Sequence, residues 1–120
     1  MAEQNKKKET LSFNEYQKHA YNLISEAGKK DMITNGVLGL AGEVGECCDI
    51  VKKFKYQGHE LDKLHLKDEL GDVLWYIAET ASGLGITLEE VAQFNLDKLR
   101  ARYHGESWSL DDDINRKDKL

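Results

Sequence analysis

The sequence predicts an all-α protein with one domain, and three observations carry this prediction. Apolar residues recur at helical spacing, three and four positions apart, over most of the 120 residues. No stretch alternates apolar and polar residues in the way that a half-buried strand requires. Proline is absent, so no position in the chain has to interrupt a helix. Four predicted helices with short connections favour antiparallel packing in a four-helix bundle.

The first predicted helix begins at Ser12, because Ser12 and Glu15 have the spacing of a capping box. Its apolar residues continue at helical spacing as far as Ala27, and Gly28 with the charged residues after it is expected to end the helix. The polar residues 1–10 are expected to form a flexible N-terminal segment. The helical domain itself is then expected to occupy residues 11–105.

The second predicted helix covers residues 33–56 and contains a glycine at every third position: Gly36, Gly39, Gly42 and Gly45. A glycine inside a helix costs about 1 kcal/mol relative to alanine, so four of them need a reason. One interpretation is a smooth stripe that lets another helix approach closely. The other is backbone clearance for a ligand beside the neighbouring carboxylates. The sequence leaves both interpretations open.

The third and fourth predicted helices also have recognisable starts. The third spans residues 62–82, with Asp62 as its N-cap. The fourth begins at Thr87, where Thr87 and Glu90 repeat the capping-box spacing, and it ends near Gly105. Residues 106–120 form a polar and charged tail, which is expected to be extended, docked on a neighbour or disordered.

Composition and charge exclude several classes of protein. The chain has 17 Lys and Arg against 22 Asp and Glu, and this net charge of −5 is a poor match for a nucleic-acid polymer. No apolar run approaches the roughly 20 residues of a membrane span. The lysines near the N-terminus precede no apolar segment of a secretory signal. The adjacent Cys47 and Cys48 are interpreted as reduced thiols, so a cytoplasmic location is expected.

Two pairs of carboxylates stand out on the second and third predicted helices. Glu43 and Glu46 are three positions apart, as are Glu69 and Asp72, and this spacing places each pair on one helix face. Apolar residues flank both pairs, so these faces border the core. Four carboxylates that converge there would repel each other, and a hard cation such as Mg²⁺ would relieve the repulsion. A solvated acidic face is the alternative, and spacing does not decide between the two.

A basic stripe lies on the fourth predicted helix, where Asn95, Lys98 and Arg102 share one face. Cations near a helix C-terminus are favourable for the helix dipole, and this is the simpler interpretation. The alternative is a phosphate clamp, with a lysine point charge and an arginine fork. Tyr76 shares a face with the acids of the third helix but is more typical of a core residue. Lys53 could reach a polyphosphate or remain a surface lysine.

With these residues, the chain resembles the MazG-like nucleoside triphosphate pyrophosphohydrolases. The resemblance covers about residues 13–116 and rests on three segments that occur in the family order. They are Gly-Glu-Val-Gly-Glu at 42–46, Glu-Leu-Gly-Asp at 69–72, and Lys-Leu-Arg-Ala-Arg-Tyr at 98–103.

This resemblance implies an all-α fold and Mg²⁺-dependent hydrolysis of a nucleoside triphosphate to the monophosphate and pyrophosphate. The expected substrate is a deoxynucleoside triphosphate or a non-canonical nucleotide, in house-cleaning or pool control. Glu43, Glu46, Glu69 and Asp72 would bind Mg²⁺, or Mn²⁺ in its place. Either Glu43 or Glu46 would act as the general base.

The resemblance also implies substrate contacts and an assembly. Two residues would position the substrate and three would contact its phosphates: Tyr76, Asn95, Lys53, Lys98 and Arg102. Because relatives are dimers or dimer-like tetramers, a homodimer or a dimer of dimers is expected, with neighbouring subunits completing the pocket. Contacts to the base are expected from the first helix and the loop after it, with Gln17 and Asn35 as candidates.

Two other functions stay open at this point. A phosphoribosyl-ATP pyrophosphohydrolase of histidine synthesis would use the same fold on a different nucleotide. A helical protein-interaction module without catalysis would carry the acidic pairs only as a solvated face. A panel of nucleotide substrates separates these functions.

Overall fold

The computed structural model describes residues 10–116, which form six α-helices and, within this range, no strand. The prediction of an all-α fold is therefore confirmed. The helices are α1 (Phe13–Asn22), α2 (Glu26–Lys29), α3 (Met32–Tyr56), α4 (Lys63–Gly83), α5 (Leu88–Arg102) and α6 (Leu110–Ile114). None of the helices in the described part of the chain is long and apolar enough to span a membrane.

Short polar side chains cap the predicted helix starts. Ser12 and Thr87 each form a capping box, with Glu15 and Glu90 as the reciprocal partners. The Asp62 carboxylate accepts a hydrogen bond from the backbone N–H of His65, at 3.0 Å, and so caps α4. The starts of these three helices could be predicted because the capping interaction is local in sequence.

The prediction of one continuous first helix as far as Gly28 is wrong. Helix α1 ends at Asn22, and Ser25 then caps the separate helix α2 by accepting a hydrogen bond from the N–H of Gly28. A serine hydroxyl offers the backbone an alternative to the helical hydrogen bond, and here it starts a new helix. Gly28 consequently lies inside α2, where it is buried, and does not end α1.

Helices α3 and α4 form the central antiparallel hairpin. Gly36 packs against Thr80, and Gly39 packs against the ring of Tyr76. These two glycines therefore support the first interpretation of the glycine stripe, because they let the helices approach closely. Gly42 and Gly45 have no neighbour within 4 Å of where a side chain would begin. The stripe thus divides into a packing half and an open half.

Helices α1 and α5 both pack against α4. The small core consists of Ala20, Ala78, Ala81 and Leu88, with Tyr16, Trp75 and Ile77 packed against it. Helix α4 contacts α1, α3 and α5, whereas α1 and α3 share at most a marginal contact with each other. Helix α4 is therefore the central helix, on which α1, α3 and α5 all pack.

A single chain does not form a closed four-helix bundle. Its radius of gyration is 18.3 Å, against about 14 Å for a compact domain of this length. Leu38, Leu64, Leu70 and Phe94 are each more than half exposed. Helix α5 contacts α1 and α4 but makes no more than a marginal contact with α3. The described residues contain a helix in each of the four predicted regions, and they leave much of the apolar surface of these helices uncovered.

The tail is not extended over its whole length. Ser109 caps α6 by accepting a hydrogen bond from the N–H of Asp112. The hydroxyl of Tyr103 donates to the carboxylate of Asp113 at 3.0 Å and ties α6 to the end of α5. Negatively charged residues in the first turn of a helix are favourable for its dipole, which explains why this acidic segment is helical. Apart from Thr10, the predicted flexible segment lies outside the described residues, as do residues 117–120.

Candidate metal and substrate site

Three of the four predicted metal ligands converge in the α3–α4 hairpin. Glu43, Glu69 and Asp72 each offer one carboxylate oxygen, and these oxygens all lie within 4.8 Å of one another. The antiparallel arrangement brings Glu43 on α3 opposite the Glu69–Asp72 pair on α4. Carboxylate oxygens are the ligands that Mg²⁺ and Mn²⁺ prefer, so the chemistry of this donor set fits a hard divalent cation.

The electrostatics of this carboxylate cluster (Glu43, Glu69 and Asp72) also favour a bound cation. A hydrogen bond shared with Glu69, followed by desolvation and by the neighbouring negative charges, raises the pKa of Glu43 to about 7. Burial, together with the charges of Asp68 and Glu69, raises the pKa of Asp72. Mutual repulsion of this kind is relieved when a cation binds, because the charged forms then become favourable.

Glu46 lies beside the carboxylate cluster and is not part of it. Its side chain is exposed, and it borders a polar cavity of about 180 Å³ at the closed end of the hairpin. The predicted phosphate contact Lys53 lines the same cavity, and its ammonium forms an ion pair with Asp49 at 2.9 Å. Hydrogen bonding from Lys53 lowers the pKa of Asp49. The remaining lining residues are Asp49, Ile50, His59, Glu60, Asp62 and His65.

His65 is a site neighbour that the sequence analysis missed. Its Nε2 lies 3.2 Å from Oε1 of Glu69, one helical turn further along α4. Hydrogen bonds of this kind orient carboxylates that bind metals. The signal in the sequence is the four-residue spacing between His65 and Glu69, which places the two side chains on one face.

Two tyrosines flank the carboxylate cluster on its other side. The Tyr76 ring lies against Gly39 and meets the ring of Trp75 edge to face, with centroids 5.1 Å apart. Tyr16 projects from α1, and burial, followed by the charge of Asp72, raises the pKa of its hydroxyl. Tyr16 was also missed, because it is one of the apolar residues at helical spacing in the first predicted helix.

One chain does not bring the basic stripe of α5 to the carboxylate cluster. Asn95 lines an apolar groove together with Phe13, Leu74 and Ile77. Leu74 and Ile77 follow Asp72 by two and five positions, so they lie on the opposite side of α4. Lys98 and Arg102 continue the stripe from Asn95 along α5. This helix packs on α1 and α4 and makes at most a marginal contact with α3.

The two candidate base contacts have different surroundings. Gln17 is buried and holds α1 to the α4–α5 turn through three hydrogen bonds. Its amide donates to Ser82 and to the carbonyl of Ile86, and it accepts from the N–H of Leu88 at 2.8 Å. Asn35 is exposed and donates a hydrogen bond to Glu79 at 2.7 Å. Gln17 therefore has a structural role, whereas Asn35 lies at the surface of the α3–α4 hairpin.

Comparisons with known proteins identify the family of this chain. Residues 33–105 match the family model of the MazG nucleotide pyrophosphohydrolase domain. The chain is also similar to the Gene 37 protein of Mycobacterium phage L5, with 41% identity over 69 residues, which cover 54% of this chain and 60% of that relative. The chain thus spans less than two thirds of the length of this curated relative. No solved structure matches the chain significantly.

Proposed function

The chain belongs to the MazG nucleotide pyrophosphohydrolase family, and from this premise we propose that it hydrolyses a nucleoside triphosphate to the monophosphate and pyrophosphate. The substrate is a deoxynucleoside triphosphate or a non-canonical nucleotide, hydrolysed in the cytoplasm for house-cleaning or pool control. The single observation that carries the proposal is the convergence of Glu43, Glu69 and Asp72 within 4.8 Å. A phosphoanhydride needs charge neutralisation and an activated water, and this donor set suits the cation that supplies both.

In this proposal the three clustered carboxylates hold Mg²⁺, or Mn²⁺ in its place. When bound, the cation neutralises phosphate charge and acidifies water. Glu46 is the better candidate for the general base, because it is exposed beside the carboxylate cluster and is not occupied by metal binding. Its carboxylate takes the proton of the water that attacks the α-phosphorus, and the bond to the leaving pyrophosphate breaks. Glu43 is then a metal ligand.

The groups on either side of the carboxylate cluster suggest the orientation of the substrate. Lys53 lines the polar cavity beyond Glu46, so it is suited to contact the β- and γ-phosphates. Tyr76 lies on the other side and offers a ring to the nucleoside. These roles agree with those that the family resemblance implies for both residues.

We further propose that the working form is a homodimer or a homotetramer. The exposed apolar side chains and the large radius of gyration support this, because apolar patches of this extent mark interfaces. A neighbouring subunit would then supply Asn95, Lys98 and Arg102 to the pocket, which is consistent with their separation from the cluster in one chain. Light scattering tests this directly, and a monomer mass would contradict it.

The activity is tested by incubating the protein with a panel of deoxynucleoside triphosphates, damaged nucleotides, phosphoribosyl-ATP and Mg²⁺, and by measuring the pyrophosphate released. Glu69→Gln is expected to weaken the thermal stabilisation by Mg²⁺ and to abolish turnover. Glu46→Gln is expected to keep the Mg²⁺ effect and to lose about 100-fold or more in kcat, the usual contribution of a general base.

Glu26→Gln is the matched control for both variants. Glu26 lies on α2 with its side chain 92% exposed, so the same loss of charge should leave turnover unchanged. If the wild-type protein releases no pyrophosphate and Mg²⁺ does not shift its melting temperature, the enzyme proposal is wrong and the interaction module is favoured.

A further inference from the structure

Glu79 is a buried carboxylate whose environment needs an explanation. It lies on α4 with 1% of its surface exposed. Its Oε1 accepts the hydrogen bond from Asn35, while its Oε2 is buried and receives no hydrogen bond from any residue between 10 and 116. Buried polar atoms nearly always have a partner, because leaving one without a hydrogen bond is costly. Oε2 is therefore suited to receive a donor from outside the described chain.

The position of Glu79 relates it to the candidate metal site. Asp72, Tyr76 and Glu79 follow one another at intervals of four and three residues, so they share one face of α4. Helices α1 and α3 both pack on α4 with at most a marginal contact between them, so this face of α4 lies between α1 and α3. The carboxylate cluster lies towards one end, and Glu79 lies at the other end beneath the exposed Asn35.

The distance along this face fits a nucleoside. Glu79 follows Asp72 by seven positions, which corresponds to about 10 Å along the helix at a rise of 1.5 Å per residue. This is about the reach from the 5′ phosphate of a nucleotide to the far edge of its base. The Tyr76 ring lies between the two ends, and an aromatic ring at that point suits stacking with a sugar or a base.

We propose that Glu79 and Asn35 read the edge of the base and select bases that present an amino group. This inference rests on the proposed nucleotide substrate. A carboxylate oxygen accepts hydrogen bonds, so Oε2 is suited to an N–H donor. Cytosine, adenine and guanine each offer an amino group on the base edge. Thymine and uracil present a single N–H between two carbonyl oxygens, and those oxygens would face the carboxylate of Glu79 unfavourably.

The test compares kcat/KM for dCTP, dATP, dGTP, dTTP and dUTP in the wild type, in Glu79→Gln and in the control Glu26→Gln. The wild type is expected to prefer at least one amino base over dTTP and dUTP by about 10-fold or more, since a site with a buried hydrogen-bonding group rejects a base that cannot pair with it. Glu79→Gln introduces a donor of nearly the same shape, and the preference for amino bases is expected to fall about 10-fold. The control is expected to keep the wild-type preference.

Three outcomes would overturn this inference. The first is a wild type that hydrolyses all five nucleotides alike or prefers dTTP and dUTP. The second is a folded Glu79→Gln variant that loses activity on all five in equal proportion, because that result indicates a structural role. The third is equal binding of dCMP, dAMP, dGMP and dTMP by the wild type, measured by calorimetry without metal.

The calorimetric measurement also separates this inference from the proposed activity. If no triphosphate is hydrolysed but an amino-base monophosphate binds about 10-fold more tightly than dTMP, the proposed activity fails and the assignment of Glu79 stands. If pyrophosphate is released without any selectivity for the base, the activity stands and the assignment fails. The wild-type measurement needs no variant, so it decides the question even if Glu79→Gln does not fold.

Discussion

Substituting alanine for glycine in α3 should have opposite effects at the two ends of the stripe. At Gly36, a new Cβ would overlap the Thr80 hydroxyl and approach the Thr80 backbone N and Cα to 3.0 and 3.2 Å. The backbone of α4 cannot move aside as a flexible side chain can, so the overpacking cost is about 1–3 kcal/mol. At Gly42 the new Cβ meets nothing within 4 Å. Each substitution also gains about 1 kcal/mol of helix propensity.

The free energies of unfolding of Gly36→Ala and Gly42→Ala are therefore expected to differ by the overpacking cost of about 1–3 kcal/mol. Gly42→Ala should be stabilised by about 1 kcal/mol relative to the wild type. Urea unfolding followed by circular dichroism measures this at one protein concentration. With a slope of about 2 kcal/mol per molar urea, the midpoints should be about 1 M apart. Equal midpoints would refute the reasoning, because they would mean that Gly36 does not limit the approach of α3 and α4.

The same pair of variants tests the second interpretation of the stripe. Gly42 directly precedes Glu43, and no described residue lies within 4 Å of where its side chain would begin. Packing among the described residues therefore does not explain why this position is a glycine. If that space is occupied by a substrate or by a neighbouring subunit, Gly42→Ala should lose pyrophosphohydrolase activity or change the assembly while gaining stability. A variant that is more stable, equally active and unchanged in mass would leave Gly42 without a functional role.

Two further predictions concern charge and the core. The pKa of Glu43 is raised to about 7 in the folded chain, against 4.5 for an ordinary glutamate. As pH rises through this range, the unfolded chain loses its proton from Glu43 before the folded chain does. The metal-free protein is therefore expected to become less stable as pH rises from about 4.5 to 7. Thermal unfolding should therefore show a larger stabilisation by Mg²⁺ at pH 8 than at pH 5, and an equal effect at both would contradict the carboxylate cluster as the binding site. Gln17→Ala should cost about 1–3 kcal/mol, because it leaves the N–H of Leu88 without its partner. Lys18→Ala, on the exposed side of the same helix, should be close to neutral, and equal melting temperatures for the two variants would rule out the structural role of Gln17.

The sequence predicted the proximity of three of the four carboxylates because its signals are local. The three-residue spacing of the acids sets their face on each helix, and Glu43, Glu69 and Asp72 do converge. Glu46 does not, although the two pairs have the same spacing, because spacing within a helix does not determine which residues of the neighbouring helix lie opposite each position. The open and packed halves of the glycine stripe could not be separated, because the difference depends on which residues of α4 lie opposite.

Several of the features that were missed depend on long-range packing. Ser25 was not recognised as a cap, because no apolar repeat follows it. The basic stripe of α5 was correctly placed on one helix face, but spacing within a helix does not determine which side of α4 that helix will cover. Glu79 was not singled out at all, because a lone glutamate in a helix is normally exposed and only tertiary structure reveals its burial.

The caps at the starts of α3 and α4 have a consequence for how this protein tolerates changes in length. Asp31 caps α3 and Asp62 caps α4. Each carboxylate of the cluster is a fixed number of residues from the cap of its helix, so the position of the cap determines which way the carboxylate faces. Residues added in the turn after α3, where Gly58 has a positive φ of 74°, would leave both registers intact. A single residue inserted between Asp62 and Glu69 would rotate Glu69 and Asp72 together by about 100° away from Glu43. Natural variation in chain length should therefore concentrate in the turns, while the first halves of α3 and α4 keep a constant length.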